Sequence, residues 1–244
     1  MHQLLPEPAE IDPYEAHATA HRPAPDGRPW MALNMVTSAD GATAVGGVSG
    51  KLGGDADLQV FRAIRAVADV IVAAAGTVRA EGYGPPRPSQ AVQEARLARG
   101  QTRVPRLVVV SRTLELDEAS PMFTEAAEPP LIFTVERAPA DRVAALTPVA
   151  DLRIAGTESV DFAVMASMLG DLGIRCAIVE GGAVLNGQLL AQGLIDELNL
   201  TLAAVLVGGE SRRAIEGTVE AIEPLRLAHL WTEDDHLLAR YVRA

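Results

Sequence analysis

Four short polar stretches each follow a segment rich in Val, Ile, Leu and Ala, and they hold the residues best suited to chemistry. They cover residues 37–41, 76–85, 111–113 and 180–183. Each stretch taken alone is compatible with a simple turn or helix start. Their recurrence after successive apolar segments is typical of a parallel sheet, in which ligands bind outside the carboxyl ends of the strands.

Two of these stretches suit an anionic ligand. Gly181 and Gly182 precede a predicted helix, and glycines there let backbone N–H groups approach a phosphate. Ser111 and Arg112 offer a hydroxyl and a guanidinium, a pair suited to a ribose phosphate. Together they predict a dinucleotide with an additional phosphate, and therefore NADPH rather than NADH.

Several other chemistries have no support in the sequence. It contains no GxGxxG after the first predicted strand, no phosphate-loop pattern and no GxSxG. The single cysteine, Cys176, excludes a disulfide within the chain and any CxxC motif. No histidine has metal-ligand spacing to another histidine or to the cysteine, so no metal site is expected. The net charge of −11 argues against nucleic-acid binding.

The hydrophobic pattern predicts strands that alternate with helices, and hence an α/β fold with a mostly parallel sheet. The predicted strands cover 30–36, 69–74, 106–110, 131–134, 152–155, 175–179 and 197–207. The predicted helices cover 55–68, 89–99, 139–146, a segment capped by Ser159 that ends near 172, and 183–192. The last apolar segments, 226–231 and 236–242, predict an antiparallel hairpin.

The N-terminal residues 1–29 contain six prolines and little periodicity, which indicates an extended arm that precedes a single domain over 30–244. No apolar run approaches the roughly 18 residues of a membrane span. A basic region followed by an apolar stretch, typical of a secretory signal, is also lacking. We therefore expect a soluble cytoplasmic protein that does not bind membranes.

The polar stretches, taken as an ordered set, resemble the reductase domain of bifunctional riboflavin-biosynthesis deaminase–reductases, which belongs to the dihydrofolate reductase-like superfamily. The resemblance covers 30–244 and rests on Asn34, Ser38, Asp40 and Gly41, and on residues 75–79, 110–112, 179–182 and 196–198. The sequence looks most similar to stand-alone pyrimidine reductases. A deaminase is not expected, because the N-terminal arm is short and one cysteine cannot build its zinc site.

The resemblance implies an NADPH-dependent reductase of a 5-amino-6-(phosphoribosylamino)uracil-type pyrimidine or a close analogue, whose ribose becomes ribityl, and it implies a homodimer. Asp40 and Glu180 are the expected catalytic residues. The expected cofactor-binding residues are Val36, Ser38, Thr43, Thr77, Ser111, Arg112, Gly181, Gly182, Ala183, Val184 and Leu185. Asn34, Glu81 and Arg87 are the expected substrate-binding residues.

Three departures from the family pattern lie on the substrate side. Asn34 stands where the riboflavin reductases usually have lysine, residues 81–85 replace their Asp-Asp-Pro, and Arg87 is only a candidate for the arginine that holds the substrate phosphate. A dihydrofolate or pteridine reductase on the same fold therefore stays an alternative; it needs a buried acid, for which Asp40 or Glu81 would serve. A non-catalytic NADPH-binding protein is the second alternative.

Overall fold

The computed structural model describes residues 1–217, 220 and 222–244. The fold is α/β, with a central, mostly parallel sheet and an antiparallel hairpin at the C-terminus, as the sequence predicted. Its residues form two compact units. The first comprises Met1–Pro23, Trp30–Val67 and Ile178–Ala244, and the second comprises Ala24–Pro29 and Ala68–Ala177.

The strands of the described residues are β1 His2–Leu5, β2 Ala9–Glu10, β3 Trp30–Ser38, β4 Val70–Ala74, β5 Arg106–Val110, β6 Leu131–Thr134, β7 Asp151–Ile154, β8 Cys176–Val179, β9 Glu197–Ala203, β10 Leu225–Glu233 and β11 His236–Arg243. The helices are α1 Pro13–Thr19, α2 Gly50–Val67, α3 Ala75–Glu81, α4 Gln90–Ala98, α5 Pro121–Thr124, α6 Ala140–Leu146, α7 Phe162–Asp171 and α8 Ala183–Ala191. None of these helices is both long and apolar enough to cross a membrane.

In the first unit, β3 and β9 are parallel, with Asn34 opposite Asn199. The strands β11, β10, β1 and β2 then follow in antiparallel order beyond β9. The N-terminal arm is therefore not merely extended, since it adds two strands and a helix to this unit. The sequence contains a start signal for helix α1. Asp12 is its N-cap and accepts a hydrogen bond from Tyr14 N, and Pro13 occupies the first turn.

Helix α2 packs its buried residues against the sheet of the first unit. Leu52, Ala56, Val60 and Ile64 lie on its buried side. Gly54 has φ 64° and interrupts the helical conformation near its start, which glycine tolerates because it lacks a Cβ. The predicted helix over 55–68 is thus the regular part of α2.

Strand β9 is shorter than predicted and ends at Ala203 rather than at residue 207. The next residues turn away, because Val205 O accepts a hydrogen bond from Ala39 N and Gly208 and Gly209 both have positive φ. An apolar run of this kind looks like a continuing strand in the sequence, since its hydrophobicity does not reveal the turn.

The second unit contains the parallel strands β4, β5, β6 and β7 in that order. Its core is mainly aliphatic, with Ile71, Val109 and Ile132 fully buried, and it includes the buried Phe123 ring. Ser89 caps α4, so this helix begins one residue later than predicted. The cap of α7 is Asp161 rather than Ser159, because the Asp161 carboxylate accepts from the N–H groups of the first turn.

Candidate active site

Glu180 follows β8 and is held by an arginine from α2. Arg65 donates from Nε to Oε1 and from Nη2 to Oε2 of Glu180, both at 2.6 Å. The Glu180 side chain is only 3% exposed, and the Arg65 guanidinium also lies over the Phe61 ring, 4.1 Å from its centroid. Two parallel charge-assisted hydrogen bonds fix the orientation of this carboxylate. The sequence analysis did not select Arg65, because nothing in its local pattern distinguishes it from the other arginines.

The segment after Glu180 has the form expected for an anion site. Gly181 has φ 97°, and Gly182 occupies the N-cap position of α8 without any side-chain hydrogen bond to the first turn. The N–H groups of 183–185 belong to this turn, and the helix dipole favours negative charge there. The residues of the first unit therefore fit a diphosphate.

Asp40 and Ser38 form a tight turn after β3. Ser38 Oγ donates to Asp40 Oδ1 at 2.5 Å and accepts from Ala42 N at 2.8 Å. The Asp40 carboxylate also accepts from Val207 N at 3.1 Å and Gly208 N at 2.7 Å. The Ser38 hydroxyl and these two backbone N–H groups lower the pKa of Asp40 to about 2.

This geometry gives Asp40 a contact to the loop after β9, and its expected role at the substrate stays a prediction. A group with so low a pKa has no proton to give at neutral pH, and its oxygens already hold the loop after β9. The Ser38 side chain is fully buried, and its hydroxyl takes part in the same turn.

Thr43 also contacts the segment after β9, here called the 205–216 segment. Its hydroxyl donates to Arg212 O at 2.9 Å, and its N–H donates to Ser211 Oγ at 3.1 Å. At its other end this segment reaches α8, where Glu216 N donates to Ala183 O at 2.9 Å. It thus connects the turn after β3 to the start of α8. Val36, also expected at the cofactor, is half-buried on β3.

Asn34 is half-buried on β3 and lines a small cavity in the first unit with His17, Asn199 and Trp231. Nearby, Glu197 is buried and accepts from Arg22 and Arg240. Burial alone would raise the pKa of Glu197, but the two arginines outweigh it and hold the pKa well below its usual value. The contacts of these residues tie the N-terminal arm to β9.

The expected site residues of the second unit lie at the ends of its strands. Ser111 is buried and its Oγ accepts from Leu114 N at 2.9 Å, while Arg112 beside it is exposed. Thr77 is not in a loop, because α3 begins at Ala75 and places it within the helix.

The other two residues expected at the substrate are also in the second unit. Glu81 is the last residue of α3. Arg87 is exposed and forms an ion pair with Glu125, so its guanidinium is already paired at the surface. An exposed ion pair of this kind is weak, so the phosphate contact of Arg87 stays a prediction.

Comparisons with known proteins agree on one group of enzymes. The sequence model of the RibD C-terminal domain matches residues 29–238. A 2,5-diamino-6-ribosylamino-4(3H)-pyrimidinone 5′-phosphate reductase from Methanothermobacter thermautotrophicus is 32% identical over 219 residues, which cover 88% of this chain and 98% of that protein. The protein of the same name from Aquifex aeolicus is 32% identical over 196 residues, covering 78% and 83% of the two chains.

The fold is shared with solved structures. A pyrimidine reductase-like protein from Corynebacterium diphtheriae superimposes with a TM-score of 0.85 at 24% identity, over 96% of this chain and 99% of that one. At this identity the likeness shows the fold.

Proposed function

The chain belongs to the RibD C-terminal domain family and is a pyrimidine reductase of riboflavin biosynthesis, and on this premise we propose that it reduces 2,5-diamino-6-ribosylamino-4(3H)-pyrimidinone 5′-phosphate with NADPH. The observation that carries the substrate is the 32% identity to a reductase of that name over nearly the whole of both proteins. The family expected from the sequence is confirmed. The substrate proposed here is the diamino analogue of the uracil compound named first in the sequence analysis.

A nicotinamide cofactor supplies the hydride that reduces C1′ of the opened sugar to the ribityl group. The residues of this chain bind and orient the substrate and the cofactor, and they exclude water from the site. The Glu180 carboxylate, fixed by Arg65, offers acceptors of defined direction to hydroxyl or amino groups of the substrate. This support makes Glu180 the better candidate of the two catalytic residues expected from the sequence.

The choice of NADPH over NADH rests on Ser111 and Arg112. Arg112 is exposed and forms no ion pair within the part of the chain that the structure describes, and its guanidinium can pair bidentately with a 2′-phosphate. Ser111 retains its hydroxyl proton for donation, because its oxygen is the acceptor from Leu114 N. Gly181, Gly182 and the first turn of α8, with Ala183, Val184 and Leu185, are proposed for the pyrophosphate.

Asp40 is proposed as a positioning residue. Its carboxylate fixes Val207 and Gly208, and the 205–216 segment that follows continues to Thr43 and Ala183. The 205–216 segment thereby fixes the position of the turn after β3 relative to the start of α8. Val36 and Thr43 are proposed to border the cofactor, and the Thr43 hydroxyl itself donates to Arg212 O.

The test is steady-state NADPH oxidation with four substrates: the diaminopyrimidinone, the corresponding aminouracil, dihydrofolate and an oxidised pteridine. We expect turnover with the diaminopyrimidinone and a lower kcat/KM for the aminouracil. Turnover with only dihydrofolate or the pteridine would replace the proposal by that alternative. NADPH binding by calorimetry, without turnover of any of the four, would indicate a non-catalytic protein.

A further inference from the structure

The loop after β5, residues 111–118, carries the two side chains proposed for the 2′-phosphate. It begins with a tight turn, because Leu114 N donates to Ser111 Oγ at 2.9 Å. Arg112 lies inside this turn and is exposed. A shift of the Leu114 peptide would therefore change the direction of both the Ser111 hydroxyl and the Arg112 side chain.

Leu114 has a backbone conformation that needs support from its surroundings. Its φ of 56° lies in the left-handed region, which a bulky residue rarely adopts. Its side chain is fully buried in the core of the second unit, together with Val78 of α3 and Leu146 of α6. A residue in such a conformation persists only where several contacts fix it at once. The packing of the side chain is one such contact, and the loop carbonyls make the others.

Two arginines from neighbouring helices bind three consecutive carbonyls of this loop. Arg142 of α6 donates from Nε to Leu114 O at 3.2 Å and from Nη2 to Leu116 O at 2.5 Å. Arg79 of α3 donates from Nη1 to Glu115 O at 2.8 Å. The N–H groups of a guanidinium have fixed directions in one plane, so Arg142 fixes the distance between the two carbonyls that it binds.

Arg142 holds the loop at a further point, since its Nη2 is 3.1 Å from Glu118 Oε2. The guanidinium is half-buried, with 28% of the side chain exposed. On the other side of the loop, Arg79 lies in the same short helix as Thr77, which is also expected at the cofactor. The loop is thus attached to α6 by one arginine and to α3 by the other.

We propose that Arg142, assisted by Arg79, positions the turn of Ser111 and Arg112 for the 2′-phosphate and so determines the preference for NADPH over NADH. The inference rests on the proposed function, in which that turn contacts the phosphate. Arg142 is a positioning residue, because its guanidinium binds loop carbonyls and acts on the phosphate through Arg112. A bidentate contact depends strongly on direction, so a loosened turn loses much of it. NADH has no 2′-phosphate and does not depend on the turn.

The test is Arg142→Met in the full chain, with NADPH and NADH titrated separately by fluorescence. Methionine retains an unbranched apolar stem but cannot donate a hydrogen bond to the carbonyls. We expect the Kd for NADPH to rise roughly 10-fold and the Kd for NADH to stay at the wild-type value. Arg142→Lys keeps the charge without the planar fork and should recover only part of the loss. The matched control is Arg137→Met, which removes an exposed arginine of the same unit and should change neither Kd.

Two further variants separate the carbonyl contacts from other effects of the charge. Glu118→Gln removes the ion pair but leaves the bonds from Arg142 to the carbonyls, so both affinities should stay at the wild-type values. A loss equal to that of Arg142→Met would overturn the role given to the carbonyls. In an Arg112→Ala background, Arg142→Met should weaken NADPH binding little further, because both changes act on one phosphate contact. Additive losses would show that Arg142 does not act through Arg112.

The outcomes distinguish this inference from the proposed function. An equal loss of both cofactors in Arg142→Met, or no loss of either, would overturn the inference alone, provided that Arg112→Ala selectively weakens NADPH binding. If Arg112→Ala has no selective effect, the proposed 2′-phosphate site is itself wrong. If Arg142→Met does not fold, as judged by its melting curve, the exposed Arg79→Met replaces it. This variant should raise the Kd for NADPH about 3-fold and leave that for NADH, and a loss without this selectivity would overturn the inference.

Discussion

Arg65 and Glu180 are 115 residues apart in the chain, and two hydrogen bonds of 2.6 Å join their side chains. The pair connects helix α2 to the glycine segment that begins α8. Because both carboxylate oxygens take part, neither side chain can rotate without breaking a charge-assisted bond. The pair therefore sets the direction in which Glu180 can accept further hydrogen bonds.

Glu180→Gln tests this role. The amide keeps the shape but replaces one acceptor with a donor facing Arg65, so the side chain loses its fixed orientation. We expect kcat/KM for the pyrimidine to fall roughly 10²-fold or more, the scale of a well-placed acid–base or orienting group. The affinity of this variant for NADPH should equal that of the wild type. Glu158→Gln, which breaks an exposed ion pair with Arg137, is the matched control and should retain full activity. Near-normal turnover by Glu180→Gln would show that the pair only stabilises the fold.

Arg112→Ala tests the preference for NADPH. Loss of a charge-assisted contact to the 2′-phosphate should weaken NADPH binding by about 1.5–3 kcal/mol and leave NADH binding almost unchanged. Fluorescence titration with each cofactor measures both affinities. Arg103→Ala removes another exposed arginine of the same unit and should affect neither. An equal loss for both cofactors would mean that Arg112 does not contact the 2′-phosphate.

Gly182→Val tests the pyrophosphate turn. Gly182 has φ −61° and ψ 161°, a conformation open to any residue, so the substitution should not strain φ or ψ. Its added side chain would stand where a diphosphate approaches the first turn of α8. We expect cofactor binding to be abolished while the circular dichroism spectrum and melting temperature stay close to wild type. Normal NADPH binding by this variant would show that the turn is only structural.

The sequence predicted the buried strands well, because long runs of Val, Ile and Leu have few alternative structures. The limits of β5 and β6 agree with the prediction to the residue. The prediction from sequence failed where tertiary contacts determine whether a strand forms or where it ends. The strands of the N-terminal arm form only because β1 pairs with β10, more than 200 residues later. The end of β9 depends on the Asp40 carboxylate, which binds the loop beyond it.

The residues of the candidate site differ in the same way, because some have a local signal in the sequence and others depend on tertiary contacts. The glycines and the strand-end residues could be found from sequence, since each type has a local reason to follow a strand. Arg65 could not, because it looks like an ordinary charged residue of a helix. Only the fold shows that it meets Glu180.

We expect a homodimer, as the family resemblance implies. An apolar face of the first unit is suited to such an interface. Leu198, Leu200 and Leu202 alternate along β9 and stay partly exposed, and Leu237 is 37% exposed. Leu200→Glu should shift sedimentation towards the monomer, whereas Leu97→Glu, at an exposed leucine of α4, should not. A monomeric wild type at micromolar concentration would exclude the dimer.

Stability should fall as the pH drops below about 6.5, because of two histidines packed against Trp231. His17 and Trp231 meet edge to face, and the His229 ring stacks on Trp231 at 3.8 Å. Burial, with Arg22 adding to it, holds the pKa of His17 well below its usual value, and burial lowers the pKa of His229 to about 3. Each ring therefore takes up a proton in the unfolded chain before it does so in the folded one.

A folded-state pKa below the unfolded value means that the unfolded chain binds more protons at mildly acidic pH. The free energy of unfolding then decreases by up to about 1.4 kcal/mol per pH unit for each such histidine. Trp30 and Trp231 are the two tryptophans of the chain and both belong to the first unit, so fluorescence during urea unfolding reports on that unit.

His229→Phe keeps an aromatic ring against Trp231 and removes one titrating group. Between pH 6.5 and pH 5, its loss of unfolding free energy should be about 1–2 kcal/mol smaller than that of the wild type. His21→Gln, at an exposed histidine of the same unit, should reproduce the wild-type slope. Identical slopes for wild type and His229→Phe would contradict the assignment, because the buried ring would then take up no fewer protons than it does in the unfolded chain.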